Sequence, residues 1–189
     1  TMKPNDFLWF GDNQNKGLGI FSFGNFKFEL LEQYNPAFKI VTPIKVSNKD
    51  KSFVLFTIWA NNTQDKNNQY IEQVWKAINH YDEILNNEMT ILTGDFNSNK
   101  IWDKWDRWWN HSDVVSELKE YGIESIYHKF TGEEHGKETI PTLYFQKKIA
   151  RPYHIDYIFG PEKFIERTKK FEIGQVDKWL KLSDHMPIF

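Results

Sequence analysis

Three short polar clusters carry the side chains best suited to chemistry: Gly94-Asp95-Phe96-Asn97-Ser98-Asn99, His154-Ile155-Asp156-Tyr157-Ile158 and Leu182-Ser183-Asp184-His185-Met186-Pro187. Asp95 beside Asn97 pairs a base or cation ligand with an amide that can donate to a phosphate oxygen. Asp184 beside His185 pairs a hard oxygen ligand with a cationic donor. These are the parts needed to hydrolyse a phosphate ester with Mg²⁺ or Mn²⁺.

Each cluster also has a plainer reading. Gly, Asp and Asn all favour turns, so residues 94–97 suit a turn as well as a site. Asp184 suits a loop cap, His185 a satisfied core histidine, and His154 is best read as an edge residue. Asp156 is harder to set aside, because a carboxylate inside an apolar strand costs several kcal/mol unless it is paired. Three such coincidences together are less economical than one site.

The clusters must be positioned by the elements around them. Leu18 to Phe21 and Phe38 to Val46 read as strands, and 53–59 is almost continuously apolar and β-favouring, as in a strand covered on both faces. Ile71, Val74, Trp75, Ile78, Tyr81 and Leu85 recur at helical spacing and predict one buried stripe. Thr90 to Thr93 reads as a short buried strand running into Gly94. A second helix is expected from Ser112 to Tyr121, capped by Ser112 or Asp113 and stopped by Gly122. Strands at 142–145 and 155–159 and a helix at 161–169, with its proline in the first turn, complete the order. That order predicts an α/β (α+β) protein with layered mixed sheets.

The 189 residues suit one domain, 1–189, with no repeat, linker or low-complexity tract. Aromatic residues make up 17% of the chain and the formal net charge is only -2, a balance that excludes a disordered chain. That charge leaves no global footprint for nucleic acid, so a polyanion would need a local patch or a bound cation. The absence of cysteine removes disulfides, thiolate metal sites and a thiol nucleophile. No apolar run is long enough to span a bilayer, so no membrane anchor is expected and the cytoplasm is the expected location.

Gly-Asp-Phe-Asn after a strand, His-Ile-Asp-Tyr-Ile, and Ser-Asp-His-Met-Pro near the C-terminus resemble, in order, the later motifs of the endonuclease/exonuclease/phosphatase superfamily. That superfamily includes pancreatic-type deoxyribonucleases, abasic-site endonucleases, bacterial sphingomyelinases and inositol phosphate phosphatases. The resemblance runs from about Leu8 to Phe189 and implies a DNase I-like, four-layer sandwich of two mixed sheets flanked by helices. It implies that Asp95 orients and deprotonates the attacking water, with Asn97 holding the water or the phosphate. Asp156 would keep the His185 imidazolium charged, His185 would bind a phosphate oxygen, and Asp184 would be a metal ligand for Mg²⁺ or Mn²⁺.

The pattern is broken in two places. The family's opening strand with its Asn, and the following helix and strand ending in a metal-binding Glu, have no counterpart ahead of Phe7, and Glu29 and Glu32 come too late to replace that Glu. An N-terminally truncated fold is therefore expected, with weak cation binding, poor or absent turnover, strands missing near the middle of the sheet, and self-association through exposed edges. Second, Trp59 stands where many relatives place a His or Tyr that assists the phosphate. Its indole can only donate, and Asn61 or Asn62 is the alternative phosphate contact there.

Substrate clues are fewer. Trp102, Trp105, Trp108 and Trp109 follow Asn97, interleaved with Lys100, Lys104 and Arg107 and diluted by Asp103 and Asp106. The spacing suits a helix packing its rings into the core, the preferred reading, and also a loop that stacks on bases. Tyr127, His128 and Glu138 either line the cleft or, preferably, brace a loop, and Thr142 is a candidate phosphate contact. The first expectation is a nuclease acting on DNA ahead of RNA. The alternatives are a hydrolase of lipid or small-molecule phosphate esters, although no clear hydrophobic hairpin stands out, and a non-catalytic binding remnant of the fold.

Overall fold

Alternating and continuous apolar runs become the strands of a mixed six-stranded sheet, and the computed structural model describes residues 2–62, 69–87 and 89–189. The strands are β3 (Lys27–Leu30), β4 (Val41–Ser47), β5 (Ser52–Trp59), β6 (Thr90–Asp95), β7 (Ile123–Ser125) and β10 (Asp156–Pro161), in the order β3-β4-β5-β6-β10-β7. Only β5 and β6 are parallel. A parallel pair needs a long crossover, supplied here by α1 (Ile71–His80) and α2 (Asp82–Asn87). Two short antiparallel ladders stand outside this sheet: β1 (Asp6–Asn13) with β2 (Lys16–Ser22), and β8 (Leu143–Tyr144) with β9 (Pro152–Tyr153). Beside the six-stranded sheet the described residues form only these two-stranded sheets rather than a second large mixed sheet. The large sheet is continuous, β4 and β6 pairing with β5 on either side.

One face of the sheet is sealed by α1 and α3 (His111–Glu120). Val74, Ala77, Ile78, Val114 and Leu118 from the helices meet Phe56, Ile58, Leu92, Phe96 and Phe159 from the sheet side. The stripe predicted from Ile71 to Leu85 does face inward, but Tyr81 separates it into two helices. Its hydroxyl accepts from Asn35 N at 2.9 Å, and Asp82 accepts from Glu83 N at 2.8 Å to restart the helix.

The start of α3 differs from the expected cap. Asp103 receives the first helical amides, from His111 N at 2.9 Å and Ser112 N at 3.2 Å, while Asn110 N donates to Asp113 at 2.7 Å. Gly122 ends the helix as expected, in the left-handed region at φ +69°. The Asn110 amide is turned back on the preceding loop, accepting from Lys104 N and Arg107 Nε and donating to both carbonyls. These bonds hold 103–110 out of a helix, so the preferred reading of core-packed tryptophans holds for Trp109, which packs against the core, and fails for Trp105 and Trp108. Trp105 is 98% exposed and Trp108 84%. The β1–β2 hairpin likewise exposes Phe7, Trp9 and Phe21, an apolar hairpin that the sequence pattern alone does not announce. Among the described residues no helix is long and apolar enough to cross a membrane.

Candidate active site

The strand register delivers the first two carboxylates. Asp95 ends β6 and pairs with Asp156 at the start of antiparallel β10, while Trp59 at the end of β5 pairs with Asp95 from the other side. Gly94 is required for this approach. Its φ is +138°, and a Cβ there would lie 1.9 Å from the Ile58 carbonyl oxygen. Beyond Asp95 the chain turns sharply: Asn97 adopts φ +47°, which Asn tolerates better than most residues, and its amide donates to Asp95 Oδ1 at 2.7 Å.

The C-terminal segment reaches the same place by pairing with 142–144. Tyr144 N donates to Asp184 O at 2.8 Å, Met186 N donates to Thr142 O at 2.7 Å, and Leu143 bridges to His185. This sets His185 Nδ1 2.9 and 3.1 Å from the two oxygens of Asp156. Donor atoms of Asp95, Asp156 and His185 lie within 4.8 Å of one another. Asp184 falls outside that set, but its charge acts on both Asp95 and His185.

The electrostatics are set by three carboxylates around one imidazole. Burial, then the charge of Asp156, pushes Asp95 up to about 7 despite the opposing charge of His185. Burial disfavours a charged His185, yet the Asp156 hydrogen bond and the surrounding carboxylates outweigh it and raise the ring to about 9. His185 is therefore an imidazolium at neutral pH, with one N–H engaged by Asp156 and the other available.

The remaining sequence candidates fall into two groups. Trp59 is half-buried beside Asp95, with the Lys16 ammonium 5.4 Å from its ring centre, and Asn62 is exposed just beyond β5. Trp102 leans on Tyr153 at 5.1 Å and, with Asn97, Lys104, Arg107 and Trp109, lines a cavity of about 460 Å³. A larger cavity of about 640 Å³, lined by Phe130, Phe171 and Trp179, contains none of the site residues. Thr142 does not face the site. It is fully buried, and its hydroxyl accepts from Ile155 N at 2.9 Å and Asp156 N at 3.0 Å, so it braces Asp156 from behind.

His128 is likewise elsewhere, bonded to Ser125 and Glu138. Around it gather His111, His135 and His154, so four of the six histidines form one cluster. His154 is buried rather than at an edge, its Nδ1 2.7 Å from Ile140 O. Burial, followed by neighbouring histidines, keeps His135 neutral at about 3, and burial does the same to His111. The sequence pattern singles out neither His111 nor His135. The only signal was the short spacing from His135 to Glu138.

The mixed six-stranded sheet with its flanking helices is that of a DNase I-like fold, which comparison with solved structures establishes. No protein-family model matches the sequence, and no curated protein matches it. Among solved structures, the 3'-5' exonuclease NExo from Neisseria meningitidis superposes with a TM-score of 0.63 at 19% identity, over 96% of this chain and 77% of that one. An AP endonuclease from Archaeoglobus fulgidus gives 0.65 at 16% identity, again over 96% and 77%. Truncated Caenorhabditis elegans TDP2 gives 0.61 at 14% identity, over 96% and 72%. At such identities the likeness establishes the fold.

Proposed function

We propose that this chain hydrolyses phosphodiester bonds, with DNA as substrate, using a hard divalent cation, Mg²⁺ or Mn²⁺. The observation that carries the proposal is the convergence of Asp95, Asp156 and His185 within 4.8 Å, with His185 held against Asp156. The carboxylates gathered around the site, with no thiolate among them, suit such a hard cation. Asp184 would hold it, and a bound cation would offset charge on the phosphate oxygens. One protein carboxylate makes a weak site, so assays belong at millimolar metal.

Asp95 takes one proton from the attacking water, whose oxygen bonds to phosphorus as the bond to the leaving oxygen breaks, and that oxygen leaves with the bonding pair and takes a proton from solvent. A carboxylate near 7 is matched to that task at neutral pH. Asn97, on the turn beside it, holds the water or a phosphate oxygen. His185 donates its outward N–H to a non-bridging oxygen where charge develops, and Asp156 keeps the ring charged and aimed. The exposed Trp105 and Trp108, with Lys104 and Arg107 beside the cavity that Asn97 lines, favour a nucleic-acid substrate: rings stack on bases and cations meet phosphates. A 3' phosphatase NExo from Neisseria with this fold binds a product DNA hairpin.

A second reading, a lipid phosphodiesterase, is favoured by the exposed Phe7, Trp9 and Phe21 of the β1–β2 hairpin. Cleavage of single- and double-stranded DNA, RNA and sphingomyelin vesicles, with Mn²⁺ or with EDTA, separates the readings. Metal-dependent DNA cleavage lost in His185→Ala supports the nuclease. Cleavage of sphingomyelin alone supports the second reading, and no cleavage above the His185→Ala background refutes both.

A further inference from the structure

A second constellation lies apart from the carboxylate centre, on the far flank of β10. His128 sits on α4 (Ile126–Thr131), and the turn after it brings back His135 and Glu138. One ligand atom from each of the three lies within 4.8 Å of the others. The Glu138 side chain is only 3% exposed, an anion deep in the protein.

We propose that His128, His135 and Glu138 form a second metal site, for a borderline transition-metal ion of which Zn²⁺ fits best. Two imidazoles and one carboxylate suit Zn²⁺ rather than Mg²⁺, which prefers an all-oxygen shell. With bonds near 2.0–2.1 Å, two ligands on one tetrahedral ion stand roughly 3.3 Å apart. The distance from His128 Nε2 to Glu138 Oε1 is 3.1 Å. A metal can replace the proton shared there, and because the His128 and His135 rings are stacked with centroids 3.5 Å apart and planes 20° from parallel, the His135 ring must turn for both in-plane lone pairs to meet the ion.

The supporting contacts are those that ligating side chains require. His128 Nδ1 is 2.8 Å from Ser125 Oγ, which leaves Nε2 for the ion. His135 Nδ1 is 3.0 Å from His111 Nε2, and His111 Nδ1 is 3.2 Å from Ser98 Oγ. That relay lets His135 keep a lone pair on its other nitrogen. Glu138 Oε2 accepts from Asn99 Nδ2 at 3.0 Å, and Gly136 N donates to both carboxylate oxygens at 3.0 Å, while Oε1 faces His128. A route in exists as well: a cavity of about 280 Å³ bordered by Val115, Lys119 and Glu124 has Ser125, His128 and His135 in its wall. An ion here would tie the 132–138 turn to α4 and, through Asn99, to the loop that carries Asn97.

The test uses the 189-residue chain carrying Asp95→Asn and His185→Ala, which silences the carboxylate centre, after removal of metal with a chelator. Calorimetric titration with ZnCl₂ in excess Mg²⁺ is expected to give one site per chain. Adding Ser125→Ala is expected to weaken it about 10- to 100-fold, and adding His135→Gln to abolish it. X-ray absorption of the Zn²⁺-loaded double variant is expected to report two imidazoles, a readout that does not depend on the His135 variant folding. No Zn²⁺ uptake by the double variant, undiminished uptake in His135→Gln, or a shell of oxygen ligands alone would overturn the proposal. None of these outcomes depends on whether DNA is cleaved.

Discussion

Replacing Thr142 by Val separates a brace from a substrate contact. Valine keeps the shape and removes the hydroxyl that accepts from Ile155 N and Asp156 N. A buried donor left without a partner costs about 1–3 kcal/mol. Ile155 is fully buried and bears the whole cost; Asp156 is half-buried, so water can recover part of the second bond. The sum is about 2–4 kcal/mol, a large share of the roughly 5–15 kcal/mol that holds a domain folded. Asp156 would also drift, and with it His185, which turns a stability defect into a catalytic one; a displacement near 1 Å can cost about 100-fold in rate. Urea melts and steady-state cleavage on one preparation give both numbers, and Thr142→Ser should restore most of each. A Thr142→Val protein as stable as the parent, with KM alone raised, would refute the brace, because that is the behaviour of a phosphate contact.

Gly94→Ala should cost about 3–6 kcal/mol, from a positive φ that Ala resists and from overlap with the Ile58 carbonyl, read as a lowered urea midpoint; a midpoint unchanged from the parent would show that β5 and β6 are not so closely apposed. Asp156→Asn should drop His185 from about 9 to 6.5 or below, followed by NMR of the ring. At pH 8 the imidazolium fraction then falls roughly 30-fold, and activity with it. The stability that His185 contributes is complete below about 6.5 and lost as pH rises through about 9, so the variant should lose that slope; a His185 that still titrates above 8 contradicts the pairing. Trp105→Ala with Trp108→Ala should weaken single-stranded DNA binding by about 1–3 kcal/mol per stacked base, measured by fluorescence anisotropy, with folding unchanged because both rings are exposed. Equal DNA affinity would remove the stacking role.

Features set by local pattern are the most legible in the sequence. The continuous apolar run of β5, the Thr90 to Asp95 strand and the inward stripe from Ile71 to Leu85 are written in side-chain periodicity, and their observed places match it. So is the placement of Asp95 and Asp156 at strand ends, whereas His185 comes from an irregular C-terminal segment and is tied by a single bridge to Leu143. Local pattern cannot show where a polar side chain directs its hydrogen bonds. Asp103 looks like a dilution of charge in a basic loop, yet it caps α3 from eight residues away. Thr142 looks like a hydroxyl beside a site, yet it is consumed by the backbone behind Asp156. The tryptophans at 102–109 have helical spacing, and the grip of the Asn110 side chain on Lys104 and Arg107, six and three residues away, decides against a helix.

One loop connects the two constellations. Between Asp95 and Asn99 the chain passes through a residue with φ +47°, a conformation that persists only where neighbours hold it. At one end Asp95 accepts the Asn97 amide and Phe96 N donates to Ile155 O at 3.0 Å; at the other Asn99 Nδ2 reaches Glu138, His154 O and Tyr157 Oη. The same residue type then serves opposite ends: carboxylates keep His185 charged, while burial among other rings keeps His135 neutral. A charged imidazole can meet a phosphate and a neutral one can hold a metal. The turn that presents Asn97 is thus anchored from the histidine cluster as much as from the strand that precedes it. Loosening Glu138 or Asn99 should therefore disturb Asn97 although neither residue belongs to the carboxylate centre.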